Sequence, residues 1–345
     1  MGEKKREHVI LLLCLLIVGV LFYNTNVCAS EPALVEAAKK EKKFVHYTSV
    51  PTDAAVALLD AFKKEYPFLE TNEFFRSTSY KVYSRVTVET QARQYLVDSV
   101  SVAVMSPFRE WKQKGWLMKY DSPGYKDLLK NVQDPGYWAP MRVVSIVIAY
   151  NTTLLPKQEI PNTWTDLHDP KWKEAIGMEG ADSGSQHMQY WVLKKVYGDE
   201  YWPKLLKNKP KIYSGSGALM TALLRGEIKL FIEAMGYEVY QYREIQRAPI
   251  QGIWPKDCVP MYAAPVALMA NAPHPNAAKL FMDWILSKDG QEAMVKVVGA
   301  DSARSDIAPA KGNPPLSAFK SVFVDDWDAF EKSTDEFKEV WESLK

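Results

Sequence analysis

Four short segments of this 345-residue chain concentrate side chains suited to holding an oxyanion. They are Tyr47-Thr48-Ser49 running on to Thr52, Arg76-Ser77-Thr78-Ser79, Asp182-Ser183-Gly184-Ser185 and Ser214-Gly215-Ser216. Hydroxyls both donate and accept hydrogen bonds, glycine lets backbone N–H groups approach closely, and Arg76 offers a forked, permanent positive charge. Each segment lies between a run that reads as a strand and one that reads as a helix, and Ser106 closes a third such strand, Val100 to Met105. Free N–H groups and the helix dipole at such junctions favour a phosphate, phosphonate or carboxylate. The same residues are ordinary helix caps, so each loop alone supports either reading. Glu233, at the end of a later strand, suits a ligand hydroxyl or amine, or equally an ion pair within the fold.

Catalytic signatures are missing. The sequence has no HExxH, paired CxxC, Walker loop or GxGxxG. His46, His168, His187 and His274 are scattered without metal-ligand spacing, and His187, though close to the 182–186 loop, reads as a structural helical histidine. Of the three cysteines, Cys258 alone lies beyond the N-terminal region; it sits in Pro-Lys-Asp-Cys-Val-Pro, with no histidine beside it to activate a thiol. Formal net charge is +1, which gives no reason to expect nucleic acid or a membrane surface as partner.

The N-terminus reads as a secretory signal. Lys4, Lys5 and Arg6 precede an apolar run from Val9 to Phe22, and Val27 and Ala29 occupy the −3 and −1 positions of a cleavage site. Cys28 invites a lipoprotein reading, but Thr25-Asn26-Val27 is not a lipobox, so a soluble exported chain beginning near Ser30 is expected. With a single cysteine left, stability must come from packed core, for which the length is ample.

The elements that must position the loops alternate. Lys43 to Ser49, Glu73 to Phe75 and Val100 to Met105 read as strands, each followed by a helical pattern, with Thr52 as a cap and Val56, Leu59, Phe62 and Tyr66 on one buried face. Val143 to Tyr150 is a near-continuous apolar run, as a strand buried on both faces should be. Strand and helix then alternate again through Ala175–Met178, Lys211–Tyr213 and Leu230–Glu233, to the extended run Met261–Met269. This rhythm predicts parallel, doubly wound α/β sheet, with ligands beyond the carboxyl ends of the strands. Asn276 is placed to cap a helix carrying Ala278, Leu280, Phe281, Trp284 and Ile285, and Asp326 to Leu344 reads as an amphipathic helix folded back on the body.

Several strings resemble one known family in its own order: Tyr47-Thr48-Ser49, FRSTSYKVYSRV at 75–86, VIAYNT at 147–152, NTWTDLHDPKWKEAIGM at 162–178, NAPHPNAAKLFMDWILSKDGQ at 271–291 and SARSDI at 302–307. The family is that of the periplasmic solute-binding proteins of ABC importers, in the branch often labelled ferric-iron binding. The resemblance implies a type 2 periplasmic-binding fold: two doubly wound α/β lobes joined by strand crossovers, the solute between them. Lobe one is then residues 30–148 plus 262–345 and lobe two 149–261, with VIAYNT and the Pro260 to Pro265 region as crossings. It further implies a periplasmic, monomeric receptor without cofactor that captures solute by lobe closure and hands it to an inner-membrane permease.

Iron-binding members clamp Fe³⁺ with adjacent tyrosines at the start of a lobe-two helix. Here that place reads Glu233-Ala234-Met235-Gly236-Tyr237-Glu238, with glycine where the second tyrosine would stand. Val50 and Pro51 likewise replace the histidine or tyrosine often found after the first strand. A small organic anion is therefore expected, with Tyr237 contacting it from lobe two. Ferric iron is the alternative, with Tyr237 as its ligand, and a thiamine-cleaving cleft enzyme using Cys258 is a third reading.

Overall fold

The structure, a computed structural model, describes residues 32–342; the leader, its cleavage site and Cys28 lie outside the described residues. The chain opens with α1 (Pro32–Glu41), then β1 (Lys43–Thr48), α2 (Thr52–Glu65), β2 (Thr71–Arg76), α3 (Ser79–Gln91), β3 (Ser99–Ser101) and α4 (Ser106–Gln113). After two short 3₁₀ turns comes the long β4 (Trp138–Asn151). The middle of the chain forms β5 (Ile176–Glu179), α5 (Gly184–Tyr197), α6 (Tyr201–Leu206), β6 (Lys211–Tyr213), α7 (Ser216–Arg225), β7 (Leu230–Met235), α8 (Gly236–Tyr240) and β8 (Ile250–Ile253). It closes with β9 (Val259–Leu268), α9 (Pro275–Leu286), α10 (Lys288–Val298), β10 (Ser321–Phe323), α11 (Trp327–Lys332) and α12 (Thr334–Glu342).

The strand order is β2-β1-β3-β9-β4-β7-β5-β6. β1 pairs parallel with β2 and β3, and β5 pairs parallel with β6 and β7, so each end is a wound α/β unit. The antiparallel pair β4 and β9 joins them. β4 runs beside β9 from Trp138 to Ser145, then beside β7 and β8 from Ile146 to Asn151. One strand thus serves both sheet halves and changes neighbours at 145–146, which is why its residues are buried almost throughout. The path back to the first half lies between β8 and β9.

Four local expectations are corrected. Thr52 does not cap α2: Pro51 holds the cap position without a side-chain bond, and Val56 lies 41% exposed instead of in the core. β3 ends at Ser101, well before Met105. Asn276 is not the cap of α9; its N–H and that of Ala277 donate to the Glu41 carboxylate at the end of α1, at 3.1 and 2.8 Å. That helix stops at Leu286, where Ser287 starts α10 by accepting from Gly290 N. The C-terminal amphipathic stretch is broken at Ser333 into α11 and α12. α12 packs on α5 of the second half, with Phe337 and Trp341 buried against Tyr190.

Candidate ligand cleft

A cleft of about 690 Å³ opens between the sheet halves. The first half contributes Pro51, Asp53 and Ala54 at the start of α2, Arg76 at the end of β2, and Lys296 to Val298 at the end of α10. The second half contributes Ser216 at the start of α7, Tyr237 and Glu238 on α8, and Gln241 and Tyr242 on the π-helical turn that continues α8. Such π turns gather at functional sites because the widened turn re-aims side chains. Of the expected residues, Arg76, Ser216 and Tyr237 meet here. Asp53, Glu238, Gln241 and Lys296 were not singled out in the sequence. Glu238 had a signal, its place beside Tyr237; Lys296 had none, because it reaches the cleft from a helix far along the chain.

The other expected loop residues of the first half are used by the fold. Tyr47 is buried on the far face, donating to Glu89 at 3.1 Å beneath the Arg85 guanidinium. Thr48 is fully buried, hydrogen-bonded to Ser101 Oγ at 2.9 Å and to Val50 N–H. Ser49 N–H donates to Ser101 and Ser77 N–H to Thr48, which ties the loops together. Ser79 Oγ accepts from Ala103 N–H, and Thr78 at the cap of α3 makes no capping bond. Ser106 is exposed at the first turn of α4. Arg76 is exposed at the rim, its Nε donating to Val50 O at 3.4 Å.

The second half holds carboxylates where an anion cradle was expected. Ser183 caps α5, accepting from Gln186 N–H at 3.1 Å and donating to Glu233 Oε1 at 3.0 Å, with Ser185 Oγ 3.1 Å away. Ser216 stands beside Glu179 and Glu238 and favours the charged form of both, through its N–H and its hydroxyl respectively. The first turn of α7, which begins after Gly215, thus already faces a carboxylate of the chain itself. Asp182 and Ser214 lie exposed on the rims of these loops, and Gly184 opens α5. Burial, then repulsion from Glu179, holds the Glu233 carboxyl well above the usual carboxylate range. Burial likewise pushes Glu238 up to about 7, and Glu179 is raised by burial with Asp182 adding to it.

Between the halves, on the crossing strands, stand Arg142 of β4 and Tyr262 of β9. Arg142 is 4% exposed, its Nε has no hydrogen-bond partner, and no ion pair to it is seen among the described residues. Tyr237 and Tyr262 are both pushed up by burial; the nearby carboxylates raise them further, and Arg142 alone among their neighbours on the crossing strands pulls them down. The two phenols therefore feel both the Arg142 guanidinium and the neighbouring carboxyls. Neither Arg142 nor Tyr262 was foreseen, since each lies within an apolar strand run.

His187 is structural: its Nε2 lies 2.9 Å from Ser333 Oγ, and its ring stacks on Phe330 and Phe337. Cys258 is fully buried, and burial pushes its thiol up to about 12, the reverse of an activated nucleophile.

A model of the family described as "Bacterial extracellular solute-binding protein" matches residues 102–333, well over half the chain. The chain belongs to this family. The solute-binding protein is 24% identical over 285 residues to an uncharacterized protein of Haemophilus influenzae, covering 79% of this chain and 81% of that one. It is 25% identical over 169 residues to the Fe(3+)-binding periplasmic protein of Serratia marcescens, a match spanning 46% of this chain and about half (49%) of that protein. In fold it is similar to iron-bound HitA from Pseudomonas aeruginosa (TM-score 0.72, 18% identity, covering 88% of this chain and 99% of that one). It is also similar to AfuA from Actinobacillus pleuropneumoniae with fructose-6-phosphate bound (TM-score 0.69, 21% identity, covering 88% and 98%). The fold is thus the type 2 periplasmic-binding fold. The protein is a receptor and not an enzyme: the periplasmic binding component of an ABC transporter, taking a small molecule.

Proposed function

We propose that the solute is a small organic oxyanion, a phosphate ester, phosphonate or carboxylate, held between two lobes built on the two sheet halves, with the C-terminal helices α11 and α12 packed on the second. Arg142 carries this reading. A guanidinium buried at the crossing of the two halves without a counter-ion is costly unless an anion arrives to pair with it. Arg76 and Lys296 at the cleft mouth add positive charge that draws an anion inward. Solute contacts from both lobes stabilise the closed form that a permease recognises.

Ferric iron is the second reading, favoured by the iron-bound HitA and the Serratia relative and by two phenols, Tyr237 and Tyr262, beside carboxylates. Arg142 weighs against it, because a trivalent cation at those phenols meets a guanidinium that has no anion of its own. A thermal-shift panel on refolded protein separates the two, using ferric citrate, hexose phosphates, phosphonates, di- and tricarboxylates and thiamine. A ligand at a hundredfold over its Kd adds about 2.7 kcal/mol, several degrees in Tm. A shift with an organic anion in the absence of iron is expected; a shift with iron alone would replace this reading by the ferric one.

A further inference from the structure

The C-terminal segment joins the two halves a further time. From β10, which pairs with β9 on the seam, the chain enters α11, and that helix touches both halves. On the second half its hold is buried and multiple. Phe330 stacks on His187 with ring centroids 4.1 Å apart, and Ser333 Oγ lies 2.9 Å from His187 Nε2. α12 continues this hold with Phe337 and Trp341 buried against Tyr190, and Trp341 Nε1 donates to Glu179 O at 2.9 Å. Lys195 of α5 pairs with Asp325 at 2.6 Å just before α11 begins. On the first half the hold is an ion pair open to solvent and one indole. Arg109 of α4 reaches Asp328 at 2.5 Å and Glu331 at 3.7 Å, all three side chains partly exposed. Trp327 lies against the cluster of Val102, Met105 and Phe108. Trp327 and Phe330 also pack on the group of Met188, Met235 and Tyr262, as does Tyr237, which lines the cleft.

Resting on the closure reading above, we propose that α11 is a strap that holds the halves together in the ligand-free protein and lets go at Arg109 when the cleft opens. α4 follows β3 and α5 follows β5, so the strap spans the cleft-side ends of both wound units. The unequal ends decide which one gives. Freeing the second-half end exposes aromatic surface packed on His187 and Tyr190 to water. Freeing the first-half end breaks an exposed ion pair, which shifts an equilibrium by up to about fivefold and is screened by salt. The strap thereby sets how often the cleft stands open to solute, and ionic strength sets the strap.

X-ray scattering of the refolded, ligand-free protein tests this. Asp328→Arg places two cations against each other, so the radius of gyration should rise, the open fraction growing about fivefold or more. Adding Arg109→Asp restores an opposite-charge pair and should bring the radius back toward that of the wild type. The wild type should itself expand as salt is raised, and Asp328→Arg should not follow it. Trp327→Ala removes the indole with the charges intact and should also expand; it answers the question if Asp328→Arg does not fold. A radius unchanged in Asp328→Arg, or a rise that the charge swap fails to reverse, overturns the strap. Closure survives that result if the wild type contracts with glucose 6-phosphate, citrate or ferric citrate. Contraction with none of them, in a protein whose radius no substitution moves, overturns both.

Discussion

Arg76 lines the cleft and Arg142 stands on the crossing strand β4, and their burial assigns them different energetics. Arg142 is 4% exposed and unpaired, so in the ligand-free protein it is a cost. Arg142→Met should therefore leave the Tm unchanged or raise it, whereas breaking a satisfied buried ion pair costs about 3–5 kcal/mol. The same variant should lose most of its affinity for an organic anion. A large fall in Tm without ligand would mean that Arg142 is paired within the fold. Arg76 is exposed at the rim, where solvent screens it. Arg76→Ala should weaken anion binding by about 1.5 kcal/mol, at the low end for a charged hydrogen bond, and this loss should fade with added salt. An affinity that does not move by titration calorimetry removes Arg76 from the site.

At the scale of elements, helix ends are held by side chains remote in sequence. Glu41 closes the N-terminus of α9 by accepting from Asn276 and Ala277. Glu41→Ala should cost about 1–2 kcal/mol, visible as a lower denaturation midpoint, with Asn276→Ala costing less. Reversed magnitudes would restore Asn276 as the cap. The junction of α5 with α11 and α12 has its own pH signature. Burial holds the His187 imidazole down at about 4, against an ordinary value of 6.5. A depressed folded value means that the unfolded chain binds the proton first. The stabilisation is complete above pH 6.5 and is lost as pH falls toward 4. His46, held at about 3 by burial, acts in the same direction, so these two imidazoles by themselves lower the Tm on acidification from pH 7 to 5. Glu238 and Asp301, raised to about 7 and 6, oppose it by favouring the folded state at low pH. His187→Phe should flatten the acid limb; an unchanged slope would show that the other groups set it.

At the scale of the whole molecule, β4 and β9 are the shared seam, and the cleft lies where the two sheet halves face each other. Capture by closure predicts that saturating solute lowers the radius of gyration in X-ray scattering; an unchanged value would mean that binding occurs without lobe movement. The sequence by itself determined the alternation of strand and helix, the wound α/β halves and the long buried strand at 143–150, because hydrophobic period and turn residues are local signals. It also placed Arg76, Ser216 and Tyr237, which lie at ends of strands or starts of helices where wound sheets bind ligands. It did not reveal the sign of the second half's loops. Ser183, Ser185 and Ser216 read as an oxyanion cradle, but tertiary packing set Glu179, Glu233 and Glu238 against them. Arg142 and Tyr262 were invisible for a related reason: one polar residue in an apolar strand says nothing of what faces it. Whether a buried charge has a partner depends on residues brought together from distant strands, and only the packed structure decides that.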